Sequence, residues 1–400
     1  MSSKSIPDVK LISEINRLTS RHVALLALLM ACGFIVVGQL YVTIPMVAGI
    51  AAAFGVDPGQ ATLIGTAFGV AYAAGFLLFG PLSDRYGRKR MILIGLIATA
   101  VATALVGIAT NFGFLIAARA VQGLAASIFP PAALSLVAEE LPPQHRPLGV
   151  SLMSFAFLGA APLSQLFAVQ TGSSLSTIMF ELAPFYLLIA VGLYLAVAAK
   201  DTAPSVENDT QSNRLVSLFR DPGMIAAWAA SLTVLFGFVS FYSGVQLLGA
   251  STGVDPQTVR LVGLPPLLLT FTAAPMTRRH GAPVTARIGL ILAALAIGVG
   301  TIASPAAMMA ASGALSAGVA FAVPGLIATV AGRATNANRG LALAIYSFAL
   351  FLGASFAPPV AQALASIGIV PLSLVPAVLQ LAAVLALTIG IRRLQPSNPN

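Results

Sequence analysis

The sequence predicts an all-α membrane protein, with about 12 transmembrane helices in two pseudo-symmetric six-helix bundles. The first observation is composition: only 8% of the 400 residues are Asp, Glu, Lys or Arg, and 58% are hydrophobic. A soluble domain carries about 25% charged residues, so too little polar surface exists here to cover one. The second is length, because about 12 helices of roughly 20 apolar residues nearly fill the chain. The third is an internal repeat that relates its two halves.

Apolar runs separated by short loops place the individual helices. The first run begins near Val23 and exceeds the apolar core of a signal peptide, about 7–15 residues, so we expect a span there. The spans are predicted near 23–53, 60–80, 90–109, 112–137, 147–169, 176–198, 223–249, 260–277, 285–303, 306–332, 340–365 and 370–391. The predicted organisation is a cytoplasmic tail (1–22), one bundle (23–198), a cytoplasmic central loop (199–222), a second bundle (223–391) and a cytoplasmic tail (392–400).

The distribution of basic residues predicts the orientation in the membrane. If the N-terminus is cytoplasmic, all but two of the 21 Lys and Arg residues fall on the cytoplasmic side; the exceptions are Arg119 and Arg260. Basic residues in short loops resist translocation. The net charge of +9 therefore indicates topology in a lipid bilayer rather than a nucleic-acid partner. The single cysteine, Cys32, excludes an internal disulfide.

The internal repeat joins two loops at equivalent places in the predicted bundles. GPLSDRYGRKR at 80–90 follows span two, and APMTRRHGAPV at 274–284 follows span eight, 194 residues later. This pattern predicts duplication in parallel orientation, and such halves usually enclose a substrate site between them. The identical pairs are Pro81 and Pro275, Arg85 and Arg279, and Gly87 and Gly281.

The first of these loops resembles the signature of the major facilitator superfamily, and it lies where that family has it, between spans two and three. Gly87 permits the tight turn. The resemblance implies that Asp84 and Arg88 hold a cytoplasmic gate shut, whereas the second loop has Arg278 in place of Asp84. The implied gating motif is Gly80, Asp84, Arg85, Gly87 and Arg88.

Span four contains an arginine where apolar residues are expected. Arg119, followed by Gln122 and Gly123, is similar to a second signature of the drug:proton antiporter branch of that family, which implies proton coupling. An arginine within the hydrocarbon costs several kcal/mol unless it faces a cavity or a partner. Snorkelling to the outer surface is the alternative. Span five lacks the glycine before Pro162 that the antiporter signature has, which weakens the antiport assignment.

Acidic residues are scarce in the predicted spans. Glu181 is the only one of the 12 acids that falls inside a span, so it is a candidate proton carrier together with Arg119; a position at the membrane interface is the alternative. Hydroxyl and amide side chains on spans that usually line the cavity suit a neutral, partly polar or amphipathic ligand, and Arg119 also allows an anionic group. Each of them could instead join two helices. These candidates are Gln39, Tyr41, Gln122, Ser154, Gln165, Tyr242, Gln246 and Tyr346.

Together these patterns predict a secondary transporter that works by alternating access. The sequence contains no phosphate-binding P-loop, so we do not expect transport driven by ATP. It also contains none of the HExxH or GxSxG motifs of hydrolytic enzymes, so we do not expect an enzyme, a cofactor or a metal site. We expect proton-coupled efflux of a neutral or amphipathic compound, drug-like or sugar-like, by a functional monomer in a prokaryotic inner membrane. The alternatives are proton-coupled uptake or facilitated diffusion of a small metabolite or organic anion, and a transporter-like receptor.

Overall fold

The computed structural model of the chain describes residues 18–172, 174–196, 217–335 and 338–392, with the backbone alone at 81, 83–85, 250–252 and 392. Twelve helices in these ranges are long and apolar enough to cross a membrane. No strand occurs in the same ranges. The predicted fold class is confirmed. The predicted N-terminal tail, central loop and C-terminal tail lie largely outside the described residues.

The first six spans contain helices of 4 to 26 residues joined by short turns. In chain order they are span 1, Ser20–Gly38; span 2, Pro58–Ala61 and Leu63–Tyr86; span 3, Arg88–Gly107; span 4, Phe112–Ala126 and Phe129–Glu140; span 5, Arg146–Thr171; and span 6, Leu175–Ala196.

The second six spans follow the same plan. They are span 7, Pro222–Thr252; span 8, Pro256–Gly263 and Thr270–His280; span 9, Ala282–Val299; span 10, Pro305–Arg333; span 11, Arg339–Ala365; and span 12, Ile369–Arg392.

Proline accounts for the differences from the predicted boundaries. The first apolar run is two helices, because span 1 ends at Gly38 and a short helix, Val47–Phe54, follows a 3-10 turn that contains Pro45. Span 4 is interrupted at residues 127–128, shortly before the pair Pro130 and Pro131. Span 8 is interrupted in the 3-10 segment Pro265–Leu269, which begins with a Pro-Pro pair. Proline has no N–H to donate and clashes with the preceding turn, so the helix breaks beside it.

The two repeated loops have the same backbone geometry. Gly87 has φ 87° and ψ 132°, and Gly281 has φ 88° and ψ 150°. A side chain is strained at this φ, so glycine is required at both turns. Each glycine directly precedes the next helix, span 3 or span 9. The internal repeat is therefore a structural repeat, and the end of the molecule that carries these two loops is called the basic end below.

Two helix pairs join the bundles, and we call them the 2/11 seam and the 5/8 seam. On the 2/11 seam, the Phe351 ring stacks on Phe76 with centroids 5.3 Å apart, and Thr66 Oγ1 donates to Ser355 O at 3.0 Å. Gly69 lies against the same serine, so the absence of a side chain at this position lets the two halves pack closely here. Span 8 meets span 5 through Phe271 and Phe155, 6.1 Å apart.

Both seams are closed at the end opposite the basic end, which we call the far end. Thr66 bridges the 2/11 seam there, and Gln170 Nε2 lies 3.5 Å from Gln257 Oε1 across the 5/8 seam. Opening of the molecule toward the far end must break these contacts. Gly80 faces Ala344 on the 2/11 seam near the basic end. A Cβ added at Gly80 would lie 3.7 Å from Ala344 Cβ, which is an ordinary van der Waals distance.

Each bundle has an ion pair that joins its first helix to its fourth at the basic end. Arg21 Nη2 lies 3.3 Å from Glu140 Oε2 in the first bundle, and Arg333 Nη2 lies 2.6 Å from Asp221 Oδ1 in the second, with the charges exchanged. Asp221 also accepts from Gly223 N at 2.8 Å. Burial raises the pKa of Asp221, but the hydrogen bonds and charge of Arg333 and the backbone N–H groups lower it further, so the net pKa lies below the usual value.

Candidate substrate and coupling site

Arg119 lies inside the first bundle, in Phe112–Ala126, the first of the two helices of span 4. This helix begins at Phe112, and the preceding Asn111 caps it by accepting from Phe114 N at 2.8 Å. The Arg119 side chain is 0% exposed, so its guanidinium points into the bundle and not toward lipid. The side chain therefore meets partners inside the bundle and does not snorkel to the membrane surface.

Neutral groups from three spans hold the guanidinium. Arg119 Nη2 donates to Gln39 O at 2.7 Å, and Nη1 donates to Gln122 Oε1 at 2.6 Å. Nη1 is also 3.4 Å from Gln39 Oε1, and Nε donates to Ile64 O at 3.3 Å. The guanidinium carbon lies 4.4 Å from the centre of the Phe68 ring. Gln39 can offer its carbonyl because it follows the last residue of span 1, where carbonyl groups lack partners within the helix.

The polar network continues to spans 3 and 6. Gln39 Nε2 donates to Tyr186 OH at 2.9 Å, and Gln122 Nε2 donates to Thr103 Oγ1 at 2.8 Å. We call Gln39, Thr103, Arg119, Gln122 and Tyr186 the Arg119 cluster. Thr103 and Tyr186 are not among the site residues predicted from the sequence, although the four-residue spacing of Thr99 and Thr103 sets both threonines on one face of span 3.

Among the described residues, no carboxylate forms an ion pair with the buried charge of the Arg119 cluster. A guanidinium taken out of water loses several kcal/mol of hydration, which hydrogen bonds to neutral oxygens offset only in part. Retention of such a group inside a membrane protein marks a functional position. Its positive potential favours a ligand that carries a hydrogen-bond acceptor or a negative charge.

Glu181 lies outside this cluster. Met179, two residues earlier, contacts Gln122 through Sδ at 3.6 Å, and two residues turn the helix by about 200°. Glu181 therefore lies on the opposite face, where it is exposed, without a hydrogen bond or ion pair to the described part of the chain. This position is closer to the interfacial alternative, and a role in proton transfer stays a prediction.

The gating motif is described in part. Arg88 begins span 3, donates to Ser135 O at 3.3 Å and forms an ion pair with Glu139 at the end of span 4. Gly87 supplies the turn before it. The side chains of Asp84 and Arg85 lie outside the described residues, so the implied contact between Asp84 and Arg88 stays a prediction. Glu139, which sequence analysis did not select, belongs to this ion pair.

A second buried arginine joins two predicted site residues across the bundles. Arg260 Nε donates to Gln165 Oε1 of span 5 at 3.1 Å, and Nη2 donates to Gln246 Oε1 of span 7 at 2.6 Å. Arg260 is 1% exposed. The sequence placed it only at the outer edge of span 8, although it was one of two basic residues away from the predicted cytoplasmic side.

The remaining candidates are buried and turn mostly toward their own bundle. Tyr242 OH lies 2.8 Å from Ser312 Oγ, and Tyr346 OH donates to Val323 O at 3.4 Å. Ser154 Oγ donates to Val150 O of its own helix at 2.9 Å, and Tyr41 lies in the core. Four buried hydroxyls in the described part of the chain have no hydrogen-bond partner and could meet a ligand: Tyr72, Ser240, Ser243 and Thr270.

Comparisons with known proteins place the chain among membrane transporters. Residues 29–261 match the family model of the Major Facilitator Superfamily. The chain is 29% identical over 259 residues to Multidrug resistance protein D of Escherichia coli strain K12, which covers 62% of this chain and 64% of that protein. It is 28% identical over 196 residues to Multidrug resistance protein 3 of Bacillus subtilis strain 168, which covers 49% of this chain and 35% of that protein.

The fold has a solved counterpart. The crystal structure of the human organic anion transporter MFSD10 (TETRAN) superposes with a TM-score of 0.71 over 92% of this chain and 100% of that chain, at 17% identity. Such identity shows the fold alone. The matched segments span between 25% and 64% of the length of the first four curated relatives.

Proposed function

Because the chain belongs to the major facilitator superfamily, we propose that it is a secondary transporter that exports amphipathic organic compounds by alternating access and couples their movement to protons. The observation that carries the proposal is the buried Arg119 cluster, which places a guanidinium and two amides inside a bundle. Relatives named as multidrug resistance proteins support efflux. The mainly apolar surroundings suit an amphipathic solute with one or two polar groups.

A second candidate is electrogenic transport of an organic anion without protons. The fully buried charged residues of the described part of the chain are Arg119 and Arg260, and the most buried carboxylate there, Glu140, is 8% exposed and pairs with Arg21 at the basic end. A membrane potential of 100 mV, negative inside, drives one negative charge outward with about 2.3 kcal/mol. An anion exporter therefore needs no proton carrier, which accords with the exposed position of Glu181.

The proposal includes an orientation with both termini cytoplasmic in a prokaryotic inner membrane, supported by the basic loops. Alkaline phosphatase fused after Gln170 is expected to be active, because the enzyme folds only outside the cytoplasm. The same fusion after Glu140, at the basic end, is expected to be inactive. The reverse pattern of activity would overturn this orientation.

Transport is tested with the purified full chain in liposomes. Cationic, neutral and anionic amphipaths are first screened for an increase in thermal stability, and each hit is then followed in a flux assay under an imposed pH gradient or an imposed potassium-valinomycin potential. Proton-coupled efflux predicts flux under the pH gradient and a matching change in internal pH. Flux under potential alone, without proton movement, supports the second candidate. Hits that bind but never cross the membrane would indicate a receptor.

A further inference from the structure

We propose that Arg260 is an anion-binding residue on the 5/8 seam, which Gln246 orients and which Gln165 occupies while the seam is closed, and that it takes the carboxylate of an amphipathic organic solute. This inference rests on the proposed transport function and names the substrate class for it. It concerns a different arginine from the Arg119 cluster, in the other bundle, and it assigns a ligand to the boundary between the two halves.

The guanidinium of Arg260 has an incomplete set of hydrogen bonds. Arg260 Nε donates to Gln165 and Nη2 donates to Gln246, while the buried Nη1 has no hydrogen-bond partner among the residues that the structure describes. An unpaired buried donor on a charged group is costly, so native proteins rarely retain one without a reason. The free Nη1 lies beside Nη2, and the fork of two such nitrogens matches the two oxygens of a carboxylate.

No carboxylate of the described residues forms a direct ion pair with Arg260, although Asp255 is close enough to act on its charge. Both partners of Arg260 are neutral amides. The nearest acid in sequence, Asp255, caps its own helix, because its carboxylate accepts from Gln257 N at 3.1 Å, from Thr258 N at 3.0 Å and from Thr258 Oγ1 at 2.7 Å. A carboxylate brought to Arg260 by a ligand would supply both a direct ion pair and the missing acceptor for Nη1.

Arg260 lies where the two bundles meet. Gln165 belongs to span 5 and Arg260 to span 8, so the Arg260–Gln165 bond crosses the 5/8 seam in the half of the molecule that is closed toward the far end. Separation of these helices frees Nε as well as Nη1. The guanidinium then has unpaired donors at two of its nitrogens at the moment when the interior becomes accessible. The solute carboxylate and Gln165 thus compete for the same arginine.

A binding assay with three matched probes tests the site. Equilibrium binding of 1-naphthoate, 1-naphthamide and 1-naphthylmethylammonium to the detergent-purified full chain compares an anion, a neutral amide and a cation on one ring system. We expect the anion to bind about tenfold tighter than the amide, as one or two charge-assisted hydrogen bonds allow, and the cation to bind weakest. Arg260→Gln is expected to reduce that preference to about twofold or less.

Arg287→Gln is the matched control. It removes one positive charge from span 9, where the guanidinium donates to Pro283 O at 3.2 Å and to Thr388 Oγ1 at 3.4 Å, away from the 5/8 seam. The preference for the anion is expected to remain as in the wild type. Equal binding of the anion and the amide by the wild type, or an unchanged preference in Arg260→Gln, would overturn the proposal.

Gln165→Ala keeps the inference testable if Arg260→Gln does not fold. Loss of the competing amide is expected to raise naphthoate affinity about threefold and to leave naphthamide affinity unchanged. A merely structural bridge would lower thermal stability without changing the ratio, and that result would also overturn the proposal. Binding in detergent is independent of flux in liposomes: naphthoate binding through Arg260 without flux contradicts the transport function alone, whereas flux with no preference for the anion contradicts this site alone.

Discussion

Replacement of Arg119 by methionine is expected to reduce transport at least about 100-fold while the protein stays folded. Methionine fills much of the same volume, and it removes a buried charge that costs several kcal/mol to hold. The loss of hydrogen bonds to Gln39 O and Gln122 Oε1 leaves acceptors unpaired, at about 1–3 kcal/mol each. The two effects oppose each other, so stability changes little, whereas the charge that recognises the solute is gone. Flux in liposomes and the melting temperature of the same preparation measure the two quantities.

Two further variants define what Arg119 supplies. Arg119→Lys retains the charge but has three donors on a single nitrogen, so it cannot reach Gln39 O, Gln122 Oε1 and Ile64 O together; we expect about a tenfold loss of flux. Arg287→Met removes a basic residue outside the cluster and is expected to transport normally. Wild-type flux in Arg119→Met would exclude a role in transport, and unfolding of that variant would assign Arg119 to structure.

The fold was predictable because a membrane simplifies the problem. Every backbone polar group in hydrocarbon must be bonded internally, so an apolar run of about 20 residues becomes a helix. Hydropathy does not report backbone breaks, however. The run from Val23 to Ala53 is uniformly apolar, yet the helix ends at Gly38 and a new one begins at Val47. The breaks next to Pro130 and Pro265 were visible as proline pairs, but not as interruptions of the spans.

The site was harder to predict, because lipid is as apolar as the protein core. A soluble helix shows which face is buried through an amphipathic stripe, whereas a membrane helix has no such contrast. Gln39 and Gln122 could be selected as rare polar residues, but nothing in the sequence sets Tyr186 beside Gln39. The same scarcity argument selected Glu181, which faces outward. Residue type identified the candidates, and only helix rotation shows which of them meet.

Arg260 has no charged counterpart at the equivalent position of the first bundle. At the repeat offset of 194 residues, Arg260 corresponds to Thr66 of span 2. Thr66 bridges the 2/11 seam to Ser355 O, and Arg260 bridges the 5/8 seam to Gln165. Equivalent positions therefore hold the two seams closed, but only one is charged. Gly313 stands at the position equivalent to Arg119. Within the described ranges, each bundle thus has one buried arginine, at a position where the other bundle has a different residue.

Gly353→Ala is expected to destabilise the second bundle by about 2–3 kcal/mol, or to prevent its assembly. Span 11 crosses span 7 so closely that a Cβ at Gly353 would lie 1.9 Å from Leu232 O and 2.9 Å from Leu232 C. These are backbone atoms and cannot rotate away, so the two helices must separate. The gain in helix propensity from glycine to alanine is about 1 kcal/mol, which is smaller than the cost of the clash. A thermal unfolding scan in detergent measures the difference.

Gly313→Ala is the matched control, because Gly313 also lies within a long helix of the second bundle and the nearest atom to its added Cβ is Pro266 Cγ at 3.9 Å. We expect this variant to be as stable as the wild type or slightly more so. Gly353 lies two residues from Phe351, whose ring stacks on Phe76 at the 2/11 seam. Separation of spans 7 and 11 therefore also displaces a contact between the bundles. We expect a folded Gly353→Ala protein to show a lower flux than the wild type even at temperatures where it is not unfolded. Equal melting temperatures for the two variants would contradict the close helix contact.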